Sequence, residues 1–185
     1  DDNGTHLGPE NPALIHGDRV VSWPEMTARS NNVARWLLAN GASVGDKVGF
    51  YMRNQPEYVE GLAASFKARL THVNVHYRYL DEELIYIIDN SDSTVVLYDI
   101  EFRNNVERVR ARLPKVKIWV EVGGEMSAPD FAVDYETLAK SSDGTPLEIE
   151  RSPDDLMFLY TGGTTGMPKG VMWSHQIWRD ANLDG

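Results

Sequence analysis

Between Lys47 and Val122 the hydrophobic period switches repeatedly between strand-like and helix-like, and that alternation leaves few architectures open. Short runs rich in β-branched and aromatic residues, Lys47 to Met52, Thr71 to Val75, Thr94 to Tyr98 and Val116 to Val122, predict strands. Between them, apolar residues recur at helical spacing: Val59, Leu62, Ala63 and Phe66; Leu84, Ile87 and Ile88 after Asp81; then Phe102, Val106, Val109 and Leu113 before Pro114. Connections of that length and period suit parallel crossovers, whereas an antiparallel hairpin needs only a few residues. The expected fold class is α/β: a mainly parallel sheet flanked by helices in three layers, with right-handed crossovers.

The flanking segments add detail. Ala13 to Trp23 reads as a hairpin turning at Gly17-Asp18. Ser22 with Glu25 three residues on forms a capping box with Pro24 in the first turn, and Met26, Val33 and Leu37 share a face, so a helix is expected over 24–40 with Gly41 as its stop. Gly45-Asp46 turns the chain into the next strand, and Asn54 with Glu57 repeats the capping logic around Pro56. From Gly123 to Asp155 Gly, Pro, Ser and Asp dominate, and only Tyr135 to Lys140 promises a turn or two of helix. The expectation there is a long surface excursion rather than a linker.

At 185 residues the chain suits about one domain, and 42% hydrophobic residues suffice for a core. A net charge of -10 argues against nucleic acid or an anionic membrane as the main partner. With no cysteine there are no disulfides, thiolate metal sites or thiol nucleophiles, in keeping with a reducing cytoplasm. The longest apolar stretches, Leu84 to Ile88 and Leu156 to Tyr160, are far too short to span a bilayer. The chain opens Asp1-Asp2-Asn3-Gly4, without an initiating Met, and is expected to be a piece of something longer.

The segment with chemical content follows the buried-strand signal Leu156 to Tyr160. Residues 161–170 hold four Gly, three Thr and one Lys, the ingredients of an anion cradle. Glycines let backbone N–H groups converge on phosphate oxygens, hydroxyls add neutral donors or a metal ligand, and Lys169 adds a mobile charge. The common P-loop does not fit, because Pro168 precedes the lysine and Gly-Lys never occurs; Gly-x-Gly-x-x-Gly does not fit either. Val171-Met172-Trp173 then predicts a strand, so the loop joins two strands and gains no helix dipole. The structural alternative, a Gly-rich hairpin turn with Thr at its shoulders, stands beside the phosphate reading.

Tyr160 to Gly170 (YTGGTTGMPKG), continuing through Val171-Met172-Trp173-Ser174-His175, resembles the phosphate-loop signature of the adenylate-forming superfamily, which includes acyl-CoA synthetases. Earlier segments agree in order: Ser22-Trp23-Pro24-Glu25, Gly45-Asp46-Lys47-Val48, Asn54-Gln55-Pro56-Glu57-Tyr58, and Val73-Asn74-Val75 leading to Tyr77-Arg78-Tyr79. The resemblance runs from Ala13 onward and is strongest to fatty-acyl-CoA synthetases, but it covers only the first part of such an enzyme. It implies a partial N-terminal domain, with the C-terminal domain absent. Two departures stand out: Gly162 where many relatives carry Ser or Thr, and Arg69 where relatives usually carry Gly.

The resemblance implies that a carboxylate, most simply a fatty acid, attacks the α-phosphate of ATP to give an acyl-adenylate and pyrophosphate, after which coenzyme A displaces AMP. Donors aimed at the β- and γ-phosphates stabilise the developing charge more than the ground state. Carried over by position, Thr164, Thr165, Gly166 and Lys169 hold those phosphates, Gly162 and Gly163 give close approach, and Thr161 is the hydroxyl nearest Mg2+. No catalytic residue falls within this chain, coenzyme A contacts lie outside it, and it is expected to be inactive alone, with a homo-oligomer possible. The alternatives are an adenylating enzyme that does not use coenzyme A and a stand-alone, non-catalytic nucleotide-binding module.

Weaker candidates remain. His72 and His76 share a strand face without a third metal ligand nearby. His175 suits packing or substrate lining, Tyr77, Tyr79 and Tyr86 suit core or rim positions, and Asp154-Asp155 suit the turn leading into the strand. Arg103 to Lys117 carries six basic residues against one acidic, which reads first as a solvated helix face and second as a docking surface.

Overall fold

The computed structural model describes residues 11–124, 127–161 and 167–183. Strands β1 (Pro12–His16) and β2 (Arg19–Ser22) form the expected hairpin, with Gly17 in the left-handed region at the turn (φ 59°). Helix α1 (Trp23–Ala39) follows, and the Ser22 hydroxyl accepts the Glu25 N–H as its cap. Then come β3 (Lys47–Tyr51), α2 (Pro56–Lys67), β4 (Thr71–Val75), α3 (Asp81–Asn90) and β5 (Ser93–Asp99). Helix α4 (Arg103–Val109) is flanked by 3-10 turns at Ile100–Phe102 and Arg110–Arg112, and β6 (Ile118–Val122) begins later than the sequence suggests. The chain ends with β7 (Val133–Asp134), α5 (Tyr135–Ala139), β8 (Leu156–Thr161), β9 (Lys169–Ser174) and α6 (His175–Leu183).

Beside the hairpin, seven strands form one sheet in the order β7-β6-β5-β3-β4-β8-β9, parallel everywhere except between β8 and β9. Its two faces bury different residue sets, as period-2 alternation requires. Val95 and Leu97 of β5 meet Val33 and Leu37 of α1, Ala64 of α2 and Leu138 of α5. Val96 and Tyr98 turn the other way, toward Leu84 and Ile87 of α3 and Val106 of α4. The expected three-layer α/β architecture is therefore present.

Several local expectations change. The capping box at Asn54 does not form: Gln55 is the N-cap of α2 without a side-chain hydrogen bond. Glu57 turns instead to Arg19 of the hairpin, a charged partner worth more than a cap on a helix already started by Pro56. The stretch 123–155 is less of a free excursion than its composition suggests. Val133–Asp134 extends the sheet beside β6. Farther along, Asn32 Nδ2 donates to the carbonyls of Ala139 and Ser142 at 2.9 Å, and its Oδ1 accepts the Gly144 N–H at 2.9 Å. Gly144 (φ 79°) lies so close to α1 that a Cβ there would stand 2.5 Å from that of Ala28.

One buried carboxylate ties these parts together. Glu60, fully enclosed, receives Arg29 (Nε to Oε2, 2.9 Å) and the Tyr135 hydroxyl (3.1 Å), while Arg29 also reaches Glu136 (2.6 Å). Burial pushes the Glu60 carboxyl upward, and Arg29 opposes that. Removing one partner of such a group leaves the other unpaired and buried.

Candidate functional site

In open α/β sheets, ligands bind outside the carboxyl ends of strands where the strand order reverses. Here the chain passes from β3 to β4 in one direction and returns from β4 to β5 on the far side of β3. The carboxyl end of β8 stands next to that of β4, so the Gly/Thr segment leaves the sheet beside this reversal.

β9 returns antiparallel to β8 in an unbroken register from Thr161↔Lys169 to Leu156↔Ser174, so the loop does join two strands. Thr161 and Lys169 therefore face each other across the mouth of the loop, both exposed, and neither side chain makes a hydrogen bond or ion pair to a described residue. Gly162, Gly163, Thr164, Thr165 and Gly166 lie outside the described residues. Pro168 is buried, which fixes the backbone just before Lys169. At Gly170 a Cβ would stand 3.0 Å from Cζ and 3.2 Å from Cε2 of Tyr160, so β9 passes closer to that ring than a side chain readily permits.

The donors present suit an anion. A hydroxyl and an ammonium flank the glycine-rich sequence between them, and ATP is the anion the sequence resemblance implies. For Mg2+, Thr161 offers a single oxygen, and among the described residues no group of three or more His, Cys, Asp or Glu is placed to hold a metal ion. That fits a magnesium carried mainly by substrate phosphates, with the protein supplying one or two oxygens.

β8 is attached to its neighbours unequally. It pairs with β9 along its whole length but with β4 only at His72↔Met157 and Val73↔Phe158. Where that ladder stops, Asn74 Oδ1 accepts the Tyr160 N–H at 2.9 Å, and the Tyr160 hydroxyl donates to Asn90 Oδ1 at 2.7 Å. These contacts escaped sequence reasoning. The available signal was a polar residue between Val73 and Val75.

The remaining candidates fall elsewhere. His72 is buried, with Nε2 2.9 Å from the Tyr58 hydroxyl and its ring against Phe50, and burial lowers its pKa to about 4. His76 is exposed and stacks on Tyr77, so the two histidines do not converge. Tyr79 and Tyr86 are half-buried beside the face that carries α3 and α4. His175 packs edge-on against Phe66 (4.3 Å) and its backbone N–H donates to the Asp155 carbonyl (2.8 Å), at the end of β8 opposite the loop. Most of the basic run is neutralised: Arg103 pairs with Glu121, Arg108 with Asp81, Arg112 with Glu82, and Lys115 with Asp89 and Asp92.

Arg69 now has a structural account. It adopts φ 58°, the left-handed region that favours glycine, and its guanidinium grips Asp155 through Nε–Oδ2 and Nη2–Oδ1, both 2.9 Å. Burial works against ionisation of Asp155, and the bonds from Arg69 and from the Ser152 N–H together outweigh it, holding the carboxyl below its ordinary range. Asp154 carries no such role; it sits in the turn before β8, as expected.

Known proteins resemble this chain in sequence and in fold. A 3-oxocholest-4-en-26-oate–CoA ligase of Rhodococcus rhodochrous is 43% identical across 94% of this chain, which spans 32% of that protein. The medium-chain acyl-CoA ligase Mig of Mycobacterium avium is 36% identical across 91% of the chain, which spans 34% of it. In three dimensions, the crystal structure of an anthranilate CoA ligase in complex with anthranoyl-AMP superposes with a TM-score of 0.87. It covers 95% of this chain and 34% of its own at 22% identity, a likeness of fold. The chain thus spans about a third of the length of the curated relatives it matches. The AMP-binding enzyme family model matches residues 4–180, and the chain belongs to that family.

Proposed function

We propose that the full-length protein carrying this chain is an acid–CoA ligase, which activates a carboxylic acid with ATP and passes the acyl group to coenzyme A. The supporting observation is the facing pair Thr161 and Lys169 at the carboxyl end of β8, in a chain of the AMP-binding family. The substrate class is a hydrophobic carboxylic acid, a fatty acid or a steroid side-chain acid, in line with what the similar ligases are named for. No helix among the described residues is long and apolar enough to cross a membrane.

In the first step the carboxylate oxygen forms a bond to the α-phosphorus while the bond to the β-phosphate oxygen breaks, and pyrophosphate leaves. Negative charge grows on that leaving group. Lys169, anchored beside buried Pro168, answers it with an ammonium, and Thr164, Thr165 and Gly166 add hydroxyl and backbone donors. Such contacts strengthen as the bond breaks, which is what accelerates the step. Gly162 and Gly163 leave room for the phosphates to approach the backbone. Thr161 adds one oxygen toward Mg2+, which when bound neutralises phosphate charge. In the second step the coenzyme A thiol attacks the acyl carbonyl and AMP departs.

The test is acid-dependent ATP–pyrophosphate exchange with the full-length protein. Lys169→Ala should slow exchange by roughly tenfold to a thousandfold, the range for losing one charged transition-state contact. An unchanged rate would return the loop to a simple Gly-rich turn. Residues 1–185 alone are expected to support no exchange. Formation of a thioester from acid, ATP and coenzyme A separates this function from an adenylating enzyme that uses another acceptor.

A further inference from the structure

We propose that Asn74 is a positioning residue for the loop. Its side-chain carbonyl stands in for the missing β4 ladder at Tyr160 and thereby sets where Thr161, and Lys169 opposite it, stand at the end of the sheet. The inference rests on the phosphate-binding role proposed for that loop and adds a residue that touches no ligand.

The geometry begins with the two unequal ladders of β8. Continuing the β4 register would pair Val75 with Tyr160, but the ladder ends at Val73↔Phe158. β9 stays paired as far as Thr161↔Lys169, so the last turnings of β8 belong to the β8–β9 hairpin and not to the parallel sheet. The Tyr160 N–H would then lose its partner on the β4 side. Asn74 Oδ1 supplies one at 2.9 Å. A side-chain acceptor reaches farther than a main-chain carbonyl, so the Tyr160 amide stays satisfied where the ladder has ended.

The same residue is pinned from its other end. The Tyr160 ring lies over Gly170, and its hydroxyl donates to Asn90 Oδ1 on α3 at 2.7 Å. Tyr160 is thus fixed through its amide by β4, through its ring by β9 and through its hydroxyl by α3. Thr161 follows immediately, and Lys169 faces it. Of these three restraints only the Asn74 bond ties Tyr160, the residue before the loop, to the parallel sheet, whose strand ends frame the proposed site.

The experiment uses the full-length enzyme and measures the two half-reactions separately: pyrophosphate exchange, and thioester formation from supplied acyl-adenylate. Asn74→Ala is expected to slow exchange about tenfold, the scale for loss of one hydrogen bond that orients a reacting group. Thioester formation should change less than about threefold. Asn74→Asp keeps an acceptor oxygen at the same place and should recover at least half of the loss on a logarithmic scale; it also serves if the alanine variant folds poorly. Because Asn74 acts through the loop, its substitution in a Lys169→Ala background should cost clearly less than it does alone. The proposal is overturned if both half-reactions fall equally, if Asn74→Asp is as impaired as Asn74→Ala, or if the two losses simply multiply. If Lys169→Ala leaves exchange unchanged, the phosphate role of the loop fails as well, and that outcome is distinct from a defect confined to Asn74.

Discussion

From β7 to β3 the sheet lies between helices on both faces, whereas β8 and β9 at the opposite edge are thinly covered. Every residue of β6 is buried; no residue of β9 is, and Val171, Met172, Ile177 and Trp178 present apolar surface to solvent. Both regions are comparably apolar in sequence. They differ in how each backbone is restrained: β5 and β6 by interlocked side chains on two faces, and the end of β8 by individual side-chain hydrogen bonds from Asn74 and Asn90. A cradle for an exchanging ligand needs a fixed base and open space, and the second kind of restraint gives both.

The contrast has a direct stability consequence. Leu97, 1% exposed, contacts the layer formed by α1, α2 and α5, and Leu97→Ala should cost about 2–5 kcal/mol from lost burial and the cavity left behind. Met172 is 66% exposed, and Met172→Ala should change stability by less than about 0.5 kcal/mol. Denaturant unfolding of the two variants decides it. Equal losses would mean that the β9 edge is packed as firmly as the centre and that the distinction drawn between them is wrong.

A second measurement probes the border between the two regions, on β4. His72 is buried among Phe50 and Tyr58 and ionises only near pH 4, below its ordinary 6.5, because burial disfavours the charged ring. The unfolded chain therefore binds a proton at higher pH than the folded one does. Stability contributed by neutral His72 is present above about pH 6.5 and is lost as pH falls toward 4, by roughly 3 kcal/mol at the limit. His72→Gln keeps a polar partner for Tyr58 and does not titrate. Its unfolding free energy should fall less steeply than that of the native sequence between pH 7 and pH 4. Parallel slopes would show that His72 is solvated and that the sheet is open at β4 as well.

Much of the central region was legible because period and burial coincide there. Val95-Val96-Leu97-Tyr98 alternates between two apolar layers, and the helices supply matching stripes, so strand and helix assignments followed from spacing. The Ser22 cap was legible for the same local reason. What escaped depends on partners distant in sequence. Glu57 reads as a cap on Asn54 until Arg19 is brought beside it, and 123–155 reads as a free excursion until Asn31, Asn32 and Arg35 hold its backbone. The loop was visible from composition, and its strand neighbours stand as expected; its support by Asn74 was not visible, because a polar residue between Val73 and Val75 does not reveal that a strand distant in sequence ends its ladder there.

Arg69 gives the smallest and finest test, because two opposing effects meet in one residue. The left-handed backbone is costly for any side chain with a Cβ, and the ion pair with Asp155 offsets it while joining the start of β4 to the start of β8. Arg69→Gly loses the pair but relieves the backbone, whereas Arg69→Ala loses the pair and keeps the strain. The alanine variant should therefore melt roughly 2–4 °C below the glycine variant, and the native sequence should lie at or above both. Added salt should narrow the gap between the native sequence and Arg69→Gly, since it screens the ion pair, and should leave the gap between the two variants unchanged, since that gap is steric. If alanine and glycine melt together, the backbone at position 69 relaxes once the guanidinium is gone. The Arg69–Asp155 pair would then be the cause of the left-handed turn, with one side chain at the amino end of β8 setting both the ion pair and the backbone before β4.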